Sequence, residues 1–156
     1  VDDDPEVLTL AQASGCWYMY HAIYTISDKI KDRIKLYHDH GILVEGTILL
    51  GLDDHTEDFI KRFVDFLQTI DLDLAEFTVL TPFPGTPLYA RLRRQGRLLR
   101  DRYWVRCTLF DVNFRPKGMT VDELEKGVHW LFTEIYNERE FTKRKRRYME
   151  IVKERM

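Results

Sequence analysis

Two segments of the chain place a glutamate and a threonine two residues apart. Glu45 and Thr47 stand in "VEGTILLG", and Glu76 and Thr78 stand in "AEFTVLTPF". Two neighbouring carboxylates can act as general acid and base, and carboxylates beside hydroxyls can bind a polar ligand. The sequence does not give the distance between the two carboxylates, so an acid–base pair in a small enzyme is one of several interpretations.

Both segments are apolar enough to form strands, and side chains alternate between the two faces of a strand. The side chains expected on one shared, inward face are those of Glu45, Thr47, Leu49, Glu76, Thr78 and Leu80. In adjacent parallel strands this arrangement places the carboxylates at one level and the hydroxyls at the next. Because an unpaired carboxylate on a packed face is costly, we expect a wet, ligand-lined lumen. The alternative is that basic residues pair with both glutamates, which then only maintain the register.

Helix-like and strand-like segments alternate along the first two thirds of the chain. A first helix begins at Pro5, behind Asp3 or Asp4. The segments that follow are a strand at 16–24, a helix at 28–40, a strand at 42–52, a helix at 56–70, a strand at 72–81 and a helix at 87–95. This order predicts an α/β fold with a parallel sheet.

The last third has a different pattern. A loop and a short strand around Leu109 to Phe114 precede a helix that begins after the capping box of Thr120 and Glu123. A final helix covers residues 140–155 and holds the one basic run of the chain. The glutamates within that run indicate a solvated helix. The alternative is a non-catalytic α/β interaction module whose last helix binds RNA or a protein partner.

Composition excludes several classes of protein. The 156 residues are 44% hydrophobic and 32% charged, which excludes a disordered chain, and the net charge of −2 gives no global signal for nucleic acid. No apolar run approaches the roughly 18 residues of a membrane span, and the first residues do not resemble a signal peptide. Cys16 and Cys107 are too far apart for a CxxC ligand set. We therefore expect a cytoplasmic protein with reduced thiols and no metal site.

The segments after the second and third strands are the candidate ligand-binding loops, "GLDDHTED" and "TPFPGTPLY". Ligands of parallel α/β folds lie at the carboxyl ends of the strands. Thr81 and Pro82 therefore join Glu45, Glu76 and Thr78 as candidate substrate or lumen residues. His55 can reach the mouth of the lumen, although a structural role is the simpler interpretation. His38 and His40 flank Asp39 like a ligand triplet, but a helix end also favours histidine there.

Three longer stretches carry a resemblance to a known family. They are "HDHGILVEGTILLGLDDHTEDFIKRFVDFL", "LDLAEFTVLTPFPGTPLYARLRRQGRLL" and "VNFRPKGMTVDELEKGVHWLF". In this order and spacing they resemble the second half of radical SAM enzymes that carry a cobalamin-binding domain. That group includes anaerobic Mg-protoporphyrin monomethyl ester oxidative cyclases and B12-dependent methylases.

The resemblance implies a partial, half TIM-type barrel of three to four βα units in residues 1–96. It also implies an α-rich extension, with a short strand and two helices, in residues 97–156. The family pattern that contacts the adenine of S-adenosylmethionine corresponds here to Thr47, Leu49, Gly51 and Asp54, of which only the glycine matches in identity. The parent enzyme would use a [4Fe-4S] cluster, S-adenosylmethionine and, in part of the group, cobalamin for 5'-deoxyadenosyl-radical chemistry on a small-molecule substrate.

The cluster motif CxxxCxxC and the first barrel strands of the family are absent from the sequence. The chain is therefore expected to be a C-terminal fragment that holds no catalytic residue, binds no cofactor tightly and is inactive alone. Its expected partner is the missing N-terminal half of the same protein. The free edges of a cut barrel also favour a homo-oligomer.

Overall fold

The computed structural model describes residues 4–100 and 104–155, with the side chains of residues 154 and 155 left aside. In chain order the elements are α1 (Pro5–Ala13), β1 (Tyr18–Ile23), α2 (Asp28–Asp39), β2 (Leu43–Leu50), α3 (Glu57–Thr69), β3 (Leu74–Val79), α4 (Pro87–Arg94), a 3-10 turn (Trp104–Arg106), α5 (Val121–Ile135) and α6 (Glu138–Arg155). Asp4 caps α1 by accepting from the Glu6 N–H, whereas Asp3 lies outside the described residues. None of the described helices combines the length and the apolar character that crossing a membrane requires.

The three strands form one parallel sheet in the order β1-β2-β3, which confirms the α/β prediction. One face of the sheet is covered. Val44, Ile48 and Leu50 of β2 are fully buried there, in a cluster with side chains from α1 to α5. The opposite side chains of β2 and β3 are half-buried, apart from the buried Leu43 and the exposed Leu74. We call this second side, on β1 to β3, the open face.

The register of the sheet differs from the predicted one. Thr47 lies beside Glu76, and Glu45 lies beside Leu74, so the two glutamates are diagonal neighbours rather than a pair at one level. The offset follows from packing on the covered face. There the Leu72 side chain fills the space over Gly46, where a Cβ would lie 2.7 Å from Leu72 Cδ1. The similar motifs of the two strands therefore do not determine the register in which the strands pair.

The prediction of a short strand around Leu109 to Phe114 is wrong. Within this segment only Phe114 forms a bridge, an isolated antiparallel one with Leu98. Leu109 has a φ of 68°, a left-handed conformation that interrupts an extended segment. The Asn113 side chain donates to the carbonyls of Arg106 and Asp111 and thereby folds the segment back on itself.

The C-terminal residues share the hydrophobic core of the sheet. Phe114, Leu124 and Leu131 are fully buried in the same cluster as the strand side chains. Gly127 allows α5 to cross close over α3, because a Cβ there would lie 2.6 Å from Ile60 Cδ1. The capping box of Thr120 and Glu123 starts α5 as predicted. The domain boundary at residue 96 stays a prediction.

A buried carboxylate ties α6 to the sheet. Asp73 accepts hydrogen bonds from the Val44 N–H, from His38 Nε2 and from Arg147 Nε, each at 2.8 Å. Arg147 also donates to the Leu72 carbonyl at 2.6 Å and pairs with Asp71 at 2.9 Å. Burial raises the pKa of Asp73. The hydrogen bonds from His38 and Val44, with the charges of His38 and Arg147, outweigh it and hold the pKa below its usual 3.8.

We predict that Asp73→Asn lowers the free energy of unfolding by about 3 kcal/mol at neutral pH, because it removes the buried anion that Arg147 and His38 both contact and leaves Arg147 with the half-exposed Asp71. A depressed pKa contributes stability above the unfolded-state value, and that contribution is lost as the pH falls through the folded-state value. Urea denaturation should therefore show the gap between wild type and variant closing below about pH 3.8. Asp71→Asn, at a half-exposed carboxylate with cationic partners, is the control with the smaller loss. A gap of the same size at every pH would contradict the assignment.

Candidate functional site

The open face brings together the polar side chains that the sequence pattern selected. Glu45, Thr47, Leu49, Glu76 and Thr78 are all half-buried on it, as strand alternation predicted. The Tyr18 hydroxyl of β1 donates a hydrogen bond to Glu45 Oε2. This tyrosine was not singled out from the sequence. Its contact joins residues 27 positions apart in the sequence, and no local sequence pattern indicates such a contact.

The negative charge of Glu76 acts on the Glu45 carboxylate of the open face. Burial raises the pKa of Glu45 above its usual 4.5, and the negative charge of Glu76 raises it further. Within residues 4–100 and 104–153, no basic side chain forms an ion pair with either glutamate. The interpretation in which basic partners neutralise both glutamates therefore finds no support in the described contacts. The face holds negative charge that a cationic or hydrogen-bonding ligand can satisfy.

The threonines and the proline at the end of β3 are arranged differently from one another. Thr78 Oγ1 donates to the Ile48 carbonyl at 3.2 Å while it remains half-buried on the open face. Thr81 is buried and donates to the Val79 carbonyl at 2.9 Å, and Pro82 is also buried. Thr78 is thus placed beside the glutamates, whereas Thr81 and Pro82 belong to the packed turn that follows β3.

The four positions carried over from the family's adenine-binding pattern are also divided. Thr47 and Leu49 lie half-buried on the open face, and Asp54 is exposed in the loop after β2. Gly51 is buried with a φ of 87°, and a Cβ there would lie 3.1 Å from both Phe114 Cζ and Leu124 Cδ2. Core side chains occupy the space that the missing Cβ leaves, so backbone conformation and packing account for this glycine.

The loop after β2, residues 51–56, is held by residues from the C-terminal part of the chain. Asp53 pairs with Arg97 Nη1 at 2.8 Å, Lys117 at 3.2 Å and Arg91 at 3.6 Å. Burial raises the pKa of Asp53. Hydrogen bonds from Arg97 and Lys117, together with their charges, outweigh burial and lower it. These partners lie about 40 to 60 residues from Asp53 in the sequence, so spacing alone could not identify them.

His55 anchors the same loop to the end of β1. Its Nε2 lies 3.1 Å from the Tyr24 carbonyl, and its ring stacks on Phe59 with centroids 4.0 Å apart. Burial lowers the pKa of His55, while the Tyr24 carbonyl and the charge of Asp54 oppose the shift. The neutral imidazole, with its proton on Nε2 toward Tyr24, fits a structural role at the mouth of the open face.

The remaining histidine and basic candidates are occupied by structural contacts. His38 bonds Asp73, and His40 Nδ1 lies 2.8 Å from the Leu36 carbonyl. In α6, Lys143 pairs with Asp71, and Arg144 donates to the Ile135 carbonyl and covers the Tyr136 ring. The part of the chain that the structure describes contains no group of three side chains suited to hold a metal ion. Binding of RNA or a partner by α6 stays a prediction.

The chain is similar in sequence to curated methyltransferases and to a cyclase. The sequence model of a family described as a domain of unknown function, DUF4070, matches residues 86–156. The chain is 27% identical over 146 residues to the bacteriochlorophyllide d C-12(1)-methyltransferase of Chlorobaculum tepidum, covering 85% of this chain and 31% of that protein. It is 31% identical over 81 residues to the hopanoid C-2 methylase of Rhodopseudomonas palustris, covering 52% of this chain and 15% of that protein.

A third relative is the anaerobic magnesium-protoporphyrin IX monomethyl ester cyclase of Cereibacter sphaeroides. It is 29% identical over 98 residues, which cover 63% of this chain and 16% of that protein. The chain spans at most 31% of the length of the curated relatives named here.

We predict that Glu76→Gln lowers the pKa of Glu45, because it removes the neighbouring negative charge that raises it. A carboxyl-detected NMR titration measures the shift directly. Glu125→Gln removes an equal charge from α5 and serves as the control, with little effect on Glu45. An unchanged Glu45 pKa in Glu76→Gln would show that the two carboxylates do not interact.

Proposed function

Because this chain is related to the radical SAM enzymes that carry a B12-binding domain, we propose that it supplies one wall of their catalytic barrel. In this proposal residues 1–96 form the second half of a TIM-type barrel and residues 97–156 form an extension packed behind it. The remainder of the barrel, with the cluster-binding cysteines, belongs to a longer cytoplasmic protein of which this chain is the C-terminal part.

The observation that carries the proposal is the uneven covering of the sheet. Parallel sheets normally have both faces covered, since helices of the crossovers pack on each side. Here the helices bury one face, while the open face keeps half-buried carboxylates and hydroxyls. A barrel gives a parallel sheet this arrangement, with helices outside and an inner face that lines a lumen. β1 is an edge strand of the described sheet, where a further strand can be added.

The residues of this chain fit the two expected cofactors unequally. An iron–sulfur cluster needs several cysteine ligands, and the described residues contain only Cys16 and Cys107 and no metal-binding group. The ligands of the cluster are therefore assigned to the other part of the protein. Thr47, Leu49 and Asp54 stand where they can line a site for S-adenosylmethionine. Gly51 instead forms a tightly packed turn between β2 and the loop that follows it.

From the relatives we infer only the class of reaction that the whole enzyme catalyses. They are a methyltransferase, a methylase and a cyclase, so cobalamin-dependent methylation and oxidative cyclisation are the two candidates. S-adenosylmethionine bound beside the cluster would supply the radical chemistry. The wall described here would orient a small-molecule substrate through Glu45, Glu76 and Thr78 and keep water from it.

We predict that this chain alone forms no 5'-deoxyadenosine from S-adenosylmethionine, even after anaerobic treatment with iron, sulfide and dithionite, because it lacks the cysteine ligands of a cluster. Chromatography of the reaction measures the product, and the full-length product of the same gene is the positive control. The upstream coding sequence should encode CxxxCxxC. Formation of 5'-deoxyadenosine above the protein-free background by this chain would overturn the proposal.

A further inference from the structure

The outer edge of β3 exposes backbone groups in a regular pattern. The Leu80 N–H donates to the Leu50 carbonyl at 2.8 Å. This hydrogen bond shows that the backbone N–H and C=O groups of the even-numbered residues point toward β2. Because the N–H and C=O of alternate residues point to opposite sides of a strand, the groups of Ala75, Phe77 and Val79 point to the free edge.

Two of these three residues are capped. The Tyr136 hydroxyl donates to the Ala75 carbonyl at 2.5 Å and accepts from the Ala75 N–H at 3.2 Å. The Val79 N–H donates to the Leu109 carbonyl at 2.6 Å, and the Val79 carbonyl accepts from Thr81. Phe77 lies between the two caps, and its N–H and C=O meet no partner among the described residues.

A cavity of about 610 Å³ runs along this gap. Its size is within the range of ligand pockets. Phe77, Phe110 and Phe132 form aromatic walls, with the Phe77 and Phe132 ring centroids 6.0 Å apart. Backbone donors and acceptors in proteins are almost always paired, so a recessed pair in a cavity wall marks a position for a ligand amide. Phe77 is only 5% exposed, which limits the compensation that bulk water provides.

The charge around the gap is negative. Glu45, Glu76 and Glu125 line the cavity, and none of them forms an ion pair with a basic side chain of the described part of the chain. The fourth carboxylate, Asp111, is already engaged by Thr108 at 2.7 Å and by Arg106 at 3.5 Å. A ligand that complements this cavity therefore carries positive charge.

We propose that the gap at Phe77 binds an extended peptide segment in which an apolar residue stands next to a basic one. The central residue of the peptide exchanges two hydrogen bonds with the Phe77 N–H and C=O, as in one closely spaced pair of an antiparallel ladder. Residues directly opposite each other point to the same face. The central side chain therefore packs beside Phe77 and Phe132, and the flanking basic side chain lies beside Glu76.

The caps explain why the site takes one residue rather than a whole strand. Tyr136 occupies the edge at Ala75 and Leu109 occupies it at Val79, so a long strand cannot pair along β3. The site is thus selective for a single amide pair with charged flanks. This inference goes beyond the barrel proposal, since it requires neither a cluster nor S-adenosylmethionine.

The test follows the Phe77 amide by ¹⁵N–¹H NMR while acetyl-Lys-Val-Lys-amide is added to this chain. We expect a saturable shift of the Phe77 signal and slower hydrogen exchange there. Methylation of the central valine nitrogen removes one hydrogen bond and should weaken binding about tenfold. Glu76→Gln should weaken it roughly two- to fivefold, while Asp65→Asn, an exposed change on α3 away from the cavity, should not alter it.

Acetyl-Glu-Val-Glu-amide is the charge-reversed control and should bind more weakly than the lysine peptide. The proposal is overturned if the Phe77 signal does not move at millimolar peptide. It is equally overturned if the N-methylated peptide or the glutamate peptide binds as tightly as the lysine peptide. Shifts confined to residues away from the cavity, such as those of α6, would identify a different peptide site and also reject it.

Discussion

The buried carboxylate of Asp73 is the constraint on which the rest of the structure depends. A carboxylate removed from water must be compensated by charge and hydrogen bonds. Here the compensation comes from the start of β2, the end of α2 and the middle of α6. Because α6 is far from α2 and β2 in the sequence, one side chain determines where α6 meets them. α6 is thereby fixed at the amino ends of the strands, and the carboxyl ends remain available for a ligand.

The opposite end of the sheet is organised by the same C-terminal residues that close the core. Arg97 and Lys117 hold Asp53 in the loop after β2, and Phe114 fills the space beside Gly51. The loop is thus positioned by the extension together with the contact of His55 at the end of β1. A function that relies on this loop, such as cofactor binding in the proposed enzyme, therefore also relies on residues after 96.

Sequence reasoning succeeded where the signal is local. Strand alternation placed Glu45, Thr47 and Thr78 on one face, and the capping box of Thr120 and Glu123 placed the start of α5. It failed where contacts between distant residues decide the outcome. The height of Glu76 depends on how Leu72 packs over Gly46, and the 109–114 segment is bent by hydrogen bonds of Asn113. The contact of Arg147 with Asp73, 74 residues apart, has no local signature at all.

The central claim is that the open face is the inner wall of a barrel completed by chain outside this sequence. A crystal or cryo-electron microscopy structure of the full-length gene product tests it most directly. The account predicts an additional parallel strand hydrogen-bonded to the free edge of β1, with Glu45, Thr47 and Thr78 facing an enclosed lumen. A structure in which β1 remains an edge strand, or in which helices cover the open face as in a doubly wound sheet, would contradict it.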